Sequence, residues 1–113
     1  MSIQRIEPGP RMSQAVVHGD TVYLAGQVAE GATVVEQSRA ALQRVDELLA
    51  TVGTDKSKLL SVTIYLADIA TFADMNSVWD TWVDGANPPA RATVEAKLAT
   101  PDFFVEFAVT AAI

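Results

Sequence analysis

Arg91 and Glu106 are the two side chains of this 113-residue chain whose surroundings call for a chemical reason. Arg91 stands in the alternating run Ala90-Arg91-Ala92-Thr93-Val94-Glu95-Ala96-Lys97, and Glu106 stands in a second, Phe103 to Ala111. Successive residues of a strand point to opposite faces. Ala90, Ala92, Val94 and Ala96 then form one face, suited to a core, with Arg91, Thr93, Glu95 and Lys97 on the other. The second run repeats this: Phe103, Val105, Phe107, Val109 and Ala111 oppose Phe104, Glu106, Ala108 and Thr110. Between the runs, Ala99-Thr100-Pro101-Asp102 carries turn chemistry and predicts a hairpin. Within such a hairpin, at ~3.4 Å per residue and ~4.8 Å between strands, the Cα atoms of Arg91 and Glu106 lie about 11 Å apart. That gap is too wide for a salt bridge. It suits a small molecule flanked by both side chains, with the guanidinium taking a carboxylate in a two-pronged grip. The same spacing allows a plainer arrangement, in which Arg91 pairs with another acid at a subunit contact and Glu106 is merely solvated.

Composition narrows the chemistry. Net charge is -6, with no cluster of Lys and Arg, which speaks against a phosphate-backbone partner and hence against nucleic acid. There is no cysteine, so disulfides, thiolate metal sites and thiol nucleophiles are excluded. The single histidine, His18, sits at a hairpin end without an acidic partner, so a serine triad has no base and a metal site has too few ligands. Lys97 has nothing nearby to lower its pKa and reads as a solvated charge rather than a Schiff-base amine. The N-terminus lacks the apolar stretch of a signal peptide, and no apolar run approaches the length of a membrane span. The expectation is a cytoplasmic protein of one domain, residues 1–113, that does not engage membranes.

The elements that must position Arg91 and Glu106 follow from periodicity. Ser2 to Ile6 suits a short edge strand, ended by Pro8-Gly9-Pro10. Residues 14–18 and 21–28 form a hairpin about Gly19-Asp20, placing Val22, Leu24, Gly26 and Val28 toward the core and Thr21, Tyr23, Ala25 and Gln27 on the second face. From Thr33 the spacing becomes helical through Val52, with Thr33 and Glu36 as a capping box and Gly53 as the stop. Lys58 to Leu66 returns to strand alternation, with Leu60, Val62, Ile64 and Leu66 inward. Thr71 and Asp74 cap a second helix bearing Phe72, Met75, Val78 or Trp79, and Trp82. The order ββαβαββ, with an optional first strand, predicts an α+β fold: a mixed sheet of about six strands with two helices on one face. The second face, bearing Tyr23, Ala25, Thr63, Tyr65, Ala108 and Thr110, is too weakly polar to stay in water, so a closed homo-oligomer with clefts between subunits is expected.

Gly26-Gln27 after a strand, the Pro89-Ala-Arg-Ala-Thr-Val-Glu95 segment and Val105-Glu-Phe-Ala-Val-Thr-Ala111 together resemble the YjgF/RidA family, the reactive-intermediate (enamine/imine) deaminases. The resemblance runs from Gly9-Pro10 and Ser13-Gln14 to the C-terminus. It implies a chorismate-mutase-like fold, a homotrimer with three clefts between subunits, no cofactor and no metal. The implied activity is hydrolysis of 2-imino and 2-enamino acids, such as 2-iminopropionate from 2-aminoacrylate, to 2-keto acids and ammonia. By motif, Arg91 takes the substrate-carboxylate arginine, Glu106 the glutamate that positions the hydrolytic water, and Asn76 the second-helix asparagine of the cleft. Backbone groups near Ala92 and Thr93 would hold the amino group. Two positions depart from the family pattern and bear on substrate range: Met12 or Arg11 stands near the place of a family tyrosine, and Ala25 stands where some members have serine. A non-catalytic trimer of the same fold, binding a small carboxylate or a partner protein, is the alternative reading.

Overall fold

Thr33 opens the longest helix as its position before a helical repeat requires. Its Oγ1 accepts from the Glu36 amide at 3.1 Å, while the Glu36 carboxylate reaches back to the Ala32 amide at 2.8 Å. The helix, α1 (Val34–Thr51), ends before Gly53, whose φ of +79° only glycine adopts without strain. In the computed structural model, which describes residues 1–113, α1 and a second helix, α2 (Phe72–Trp82), lie on one face of a six-stranded sheet. The strands are β1 (Ile3–Ile6), β2 (Ala15–His18), β3 (Thr21–Leu24), β4 (Leu59–Leu66), β5 (Ala90–Glu95) and β6 (Val105–Ala112). Their spatial order is β1-β2-β3-β6-β4-β5, so the α+β fold expected from element order is the fold found. Helix α2 enters differently from expectation. Asp68 caps a short 3-10 turn at Ala70, and the Thr71 hydroxyl donates to the Asp68 carbonyl instead of capping α2.

The hairpin expected between residues 90–97 and 103–111 does not form. Strand β5 pairs in parallel with β4, from Ser61↔Ala90 to Leu66↔Glu95, and β6 runs antiparallel between β3 and β4. A parallel pair needs a crossover, and α2 supplies it by carrying the chain from β4 over the sheet to β5. Two alternating runs joined by turn residues look alike whether they pair with each other or with other strands. Only the crossover length of α2 distinguishes the cases.

Side-chain orientation differs in three places. Leu59, not Leu60, is buried, because the β4–β6 register slips between Leu59 and Ser61 and leaves Leu60 49% exposed. Tyr23 pairs with Thr110 and Gln27 with Phe107, so one extra residue is accommodated along β3. This bulge turns Gln27 into the core and Gly26 onto the open face, the reverse of strict alternation. The third, on β5, reverses the face of Arg91.

The core lies between helices and sheet, with Phe107, Leu42, Leu48, Leu49, Ile64, Leu66 and Met75 fully enclosed. Inside it lies one polar clamp that periodicity alone did not mark. Gln37 is fully buried; its amide nitrogen donates to the carbonyls of Gly31 at 3.0 Å and Asp102 at 2.8 Å, and its oxygen accepts from the Phe104 amide at 2.8 Å. The start of β6 is thereby pinned to α1. Gln37→Leu leaves two carbonyls and an N–H without partners, and we expect a stability loss of about 2–4 kcal/mol by urea denaturation. A loss below about 1 kcal/mol means that water takes over the amide's role.

The opposite face of the sheet has no helix over it. It presents Thr63, Tyr65, Ala92, Ala108 and Thr110 with few charges, and Tyr23 and Val94 are 50% and 42% exposed. No helix is long and apolar enough to cross a membrane.

Candidate functional site

Arg91 faces the helices. Its register partner is Val62, which is 1% exposed beneath them, so Arg91 and Thr93 point to the helix side while Ala90, Ala92 and Val94 look out from the open face. This overturns the face assignment made from alternation. The physical reason is position: β5 is the outermost strand, and there α2 lies alongside a long side chain whose stem packs while its fork reaches the margin. Arg91 Nη1 donates to Asn76 Oδ1 at 2.8 Å, and the guanidinium carbon lies 5.2 Å from the Trp79 ring and 5.8 Å from the Phe72 ring. Phe72, Asn76 and Trp79 are spaced by a helical turn, so one face of α2 holds the guanidinium. Both ion pairs of the chain belong to Arg44, leaving Arg91 without a carboxylate.

On the same side of β5, Thr93 Oγ1 is buried with no hydrogen-bond partner. The Glu95 carboxylate accepts from the Ile69 amide at 3.0 Å and fastens the end of β5 to the turn that leads into α2. Because β5 is an edge strand, alternate peptide groups around Ala92 and Thr93 point away from the sheet.

Glu106 lies on the open face, in register with Tyr65. Its side chain rests against Gly26: a Cβ added there would sit 2.7 Å from the Glu106 carboxyl carbon. The glycine is therefore required by close approach, as glycine inside a strand suggests, although the approaching group belongs to this chain. The bulge is secured by Gln27, whose side-chain amide donates to Gln14 Oε1 at 3.1 Å and to the Ala25 carbonyl at 2.9 Å. Ala25 in turn donates its N–H to the Gln14 carbonyl at 2.8 Å. Met12, 50% exposed, lies two residues before Gln14 in the loop between β1 and β2.

The sequence-predicted residues thus fall into two groups. Arg91, Asn76 and Thr93 gather at the β5 edge beneath α2; Glu106, Ala25 and Met12 belong to the β2–β3–β6 side; Ala92 looks out from the open face of β5. Arg91 and Glu106 do not flank one gap within a chain. They stand two strands and three residues apart, about 14 Å between Cα atoms, and on opposite faces of the sheet. Neither lines any of the hollows in the chain's surface, the largest of which, about 660 Å³, lies between α1 and α2 beside Asp46, Lys56 and Trp82. Phe72 and Gln27 were missed as site residues. The signal for Phe72 was its four-residue spacing from Asn76; that for Gln27 appears only with the bulge.

The family described as Endoribonuclease L-PSP matches residues 2–113. The chain belongs to that family. Among similar proteins, a RutC family protein of Haemophilus influenzae is 46% identical over 114 residues, covering 98% of each chain. The RutC family protein YoaB of Escherichia coli is 41% identical over the whole of both. At greater distance, the rat 2-iminobutanoate/2-iminopropanoate deaminase is 33% identical over 91 residues, covering 74% of this chain and 66% of the rat protein. Among solved structures, a YjgF-family protein of Neisseria meningitidis superposes with a TM-score of 0.98 at 43% identity, covering 99% of this chain and 95% of the other. The α+β fold of this L-PSP chain is thus shared along its whole length.

Proposed function

We propose that this protein hydrolyses reactive 2-imino and 2-enamino acids, such as 2-iminopropionate, to 2-keto acids and ammonia, in clefts between the subunits of a homotrimer. The observation that carries this reading is the Arg91 fork: fixed by Asn76, backed by two aromatic rings and unpaired with any acid of its own chain. One of its five N–H groups is engaged, which leaves donors for a substrate carboxylate. Because Arg91 and Glu106 lie on opposite faces of one sheet, the cleft takes Arg91 from one subunit and Glu106 from its neighbour. The weakly polar open face supplies the reason for subunits to associate.

The reaction asks little beyond orientation. The imine carbon is already electrophilic; Arg91 holds the carboxylate and draws electron density from that carbon, and Glu106 holds the water and takes its proton as oxygen adds. That proton passes to the nitrogen to give a carbinolamine, whose hydroxyl proton follows to the same nitrogen by way of Glu106; the C–N bond then breaks as the C=O bond forms, and ammonia leaves the keto acid behind. Edge peptide groups near Ala92 and Thr93 hold the nitrogen. Water is the only co-reactant of this scheme. The rat deaminase supports the reading by its name and its similarity. A ribonuclease reading, suggested by the family's description, is opposed by the net charge of -6 and by a single histidine, which leaves no acid–base histidine pair.

The test is the release of pyruvate from 2-iminopropionate generated by an amino-acid oxidase. Saturable acceleration over buffer is expected. Thermal stabilisation by 2-ketobutyrate without any acceleration would instead identify a binding module that uses the same arginine.

A further inference from the structure

Of the two rings that touch the Arg91 guanidinium, one is closed and one is open. Trp79 is 6% exposed, packed among the core residues and stacked on Phe107. Phe72 is 38% exposed, although it is a large apolar residue at the first position of α2. Four residues on, Asn76 holds Nη1 from the same helix face. An apolar ring left open beside an unpaired cation is an unusual surface, since each would be better served by a partner. A single ligand can serve both, provided it carries a carboxylate and, close to it, an apolar group.

The geometry sets how close that group must be. A carboxylate gripped by both prongs puts the next carbon, C2 of the acid, about 5.5 Å from the guanidinium carbon. The Phe72 ring centre lies 5.8 Å from that same atom. The carboxylate lies in the guanidinium plane and the ring lies over its face, so C2 stands roughly 8 Å from the ring centre, a gap that a side chain of three or four carbons spans. The methyl of 2-iminopropionate reaches little of the ring; a branched or aromatic side chain covers it. At the Glu106 side Met12 is also open, and its unbranched thioether adapts to varied apolar shapes.

We propose that Phe72 is the specificity wall of the cleft, against which the substrate side chain packs, so that the protein prefers 2-imino acids bearing bulky apolar side chains over 2-iminopropionate. This inference rests on the imino-acid reading above. The preference follows from area: each methylene moved from water onto an apolar wall is worth roughly tenfold or more in kcat/KM.

The experiment compares the imino acids generated by an amino-acid oxidase from leucine and from alanine, following the loss of semicarbazide-trappable imine. For the wild-type protein, kcat/KM is expected to be at least about tenfold higher with the leucine-derived substrate. Phe72→Leu and Phe72→Asn are then compared. The two replacements share their number of side-chain heavy atoms and their branching at Cγ, and Asn is tolerated at a helix start, so the main difference is the apolar character of the wall. Phe72→Leu is expected to hold the substrate ratio within about threefold, and Phe72→Asn to lower it at least about tenfold. Equal ratios in the two variants, or a wild-type protein that does not favour the leucine-derived imine, overturn this inference alone. If the wild type hydrolyses neither imine, the imino-acid reading falls and this inference falls with it.

Discussion

Arg91→Ala is expected to lower kcat/KM for 2-iminopropionate by about 10²–10³-fold while the assembly keeps its mass. The loss comes from one contact. A charge-assisted, two-pronged hydrogen bond fixes the carboxylate and withdraws electron density from the adjacent imine carbon; alanine provides neither effect. The fold should survive, because Arg91 sits at the outer strand and its contacts are a single hydrogen bond to Asn76 and two ring faces on α2. Arg91→Lys separates charge from geometry. It keeps the cation but presents a point charge in place of the fork, and should fall between wild type and alanine. Activity of Arg91→Ala within threefold of wild type, in an assay where threonine dehydratase acting on serine supplies the imine, would remove this residue from the mechanism.

The second large effect is a recovery. Glu106→Gln keeps the shape of the side chain over Gly26 but cannot accept the proton of the attacking water, and should be as inactive as Arg91→Ala. When the two inactive variants are unfolded together and refolded as mixed oligomers, activity should return to about one quarter of wild type, because one random pairing in four brings an intact Arg91 to an intact Glu106. The prediction follows from the sheet. A chain whose Arg91 and Glu106 lie on opposite faces, about 14 Å apart, cannot present both to one imino acid. Were both residues of a site drawn from the same chain, mixing would restore nothing, because every chain in the mixture lacks one of them. Light scattering that shows a monomer at micromolar concentration would contradict the shared cleft by an independent route.

Much of this was readable along the chain because it depends on near neighbours in sequence. The Thr33–Glu36 cap and the Gly53 stop are local chemistry, and α1 lies where they put it. The same holds for the turn at Gly19, with φ of +61°, and for the inward faces of β6 and most of β4. Arg91, Glu106 and Asn76 stood out by type and motif, and Arg91 and Asn76 do meet. The Glu95 carboxylate accepts from the Ile69 amide, a contact that sequence spacing does not indicate.

The remainder is long-range pairing. Alternation says that residues share a face, but not which face is covered; that depends on which strand lies next door. Strand β5 joined β4 rather than β6 because α2 crosses between them, and this placed Arg91 under the helix with its small neighbours outside. One extra residue near Gly26 reversed the phase of Gln27 in the same way. Residue types and local spacing by themselves determined the two helices, the cap and stop of α1, most of the strand content and the charged pair proposed to carry the chemistry. Only the tertiary structure decided that this pair is divided between two faces of the sheet, because the register of a sheet is settled by contacts between segments far apart in the chain.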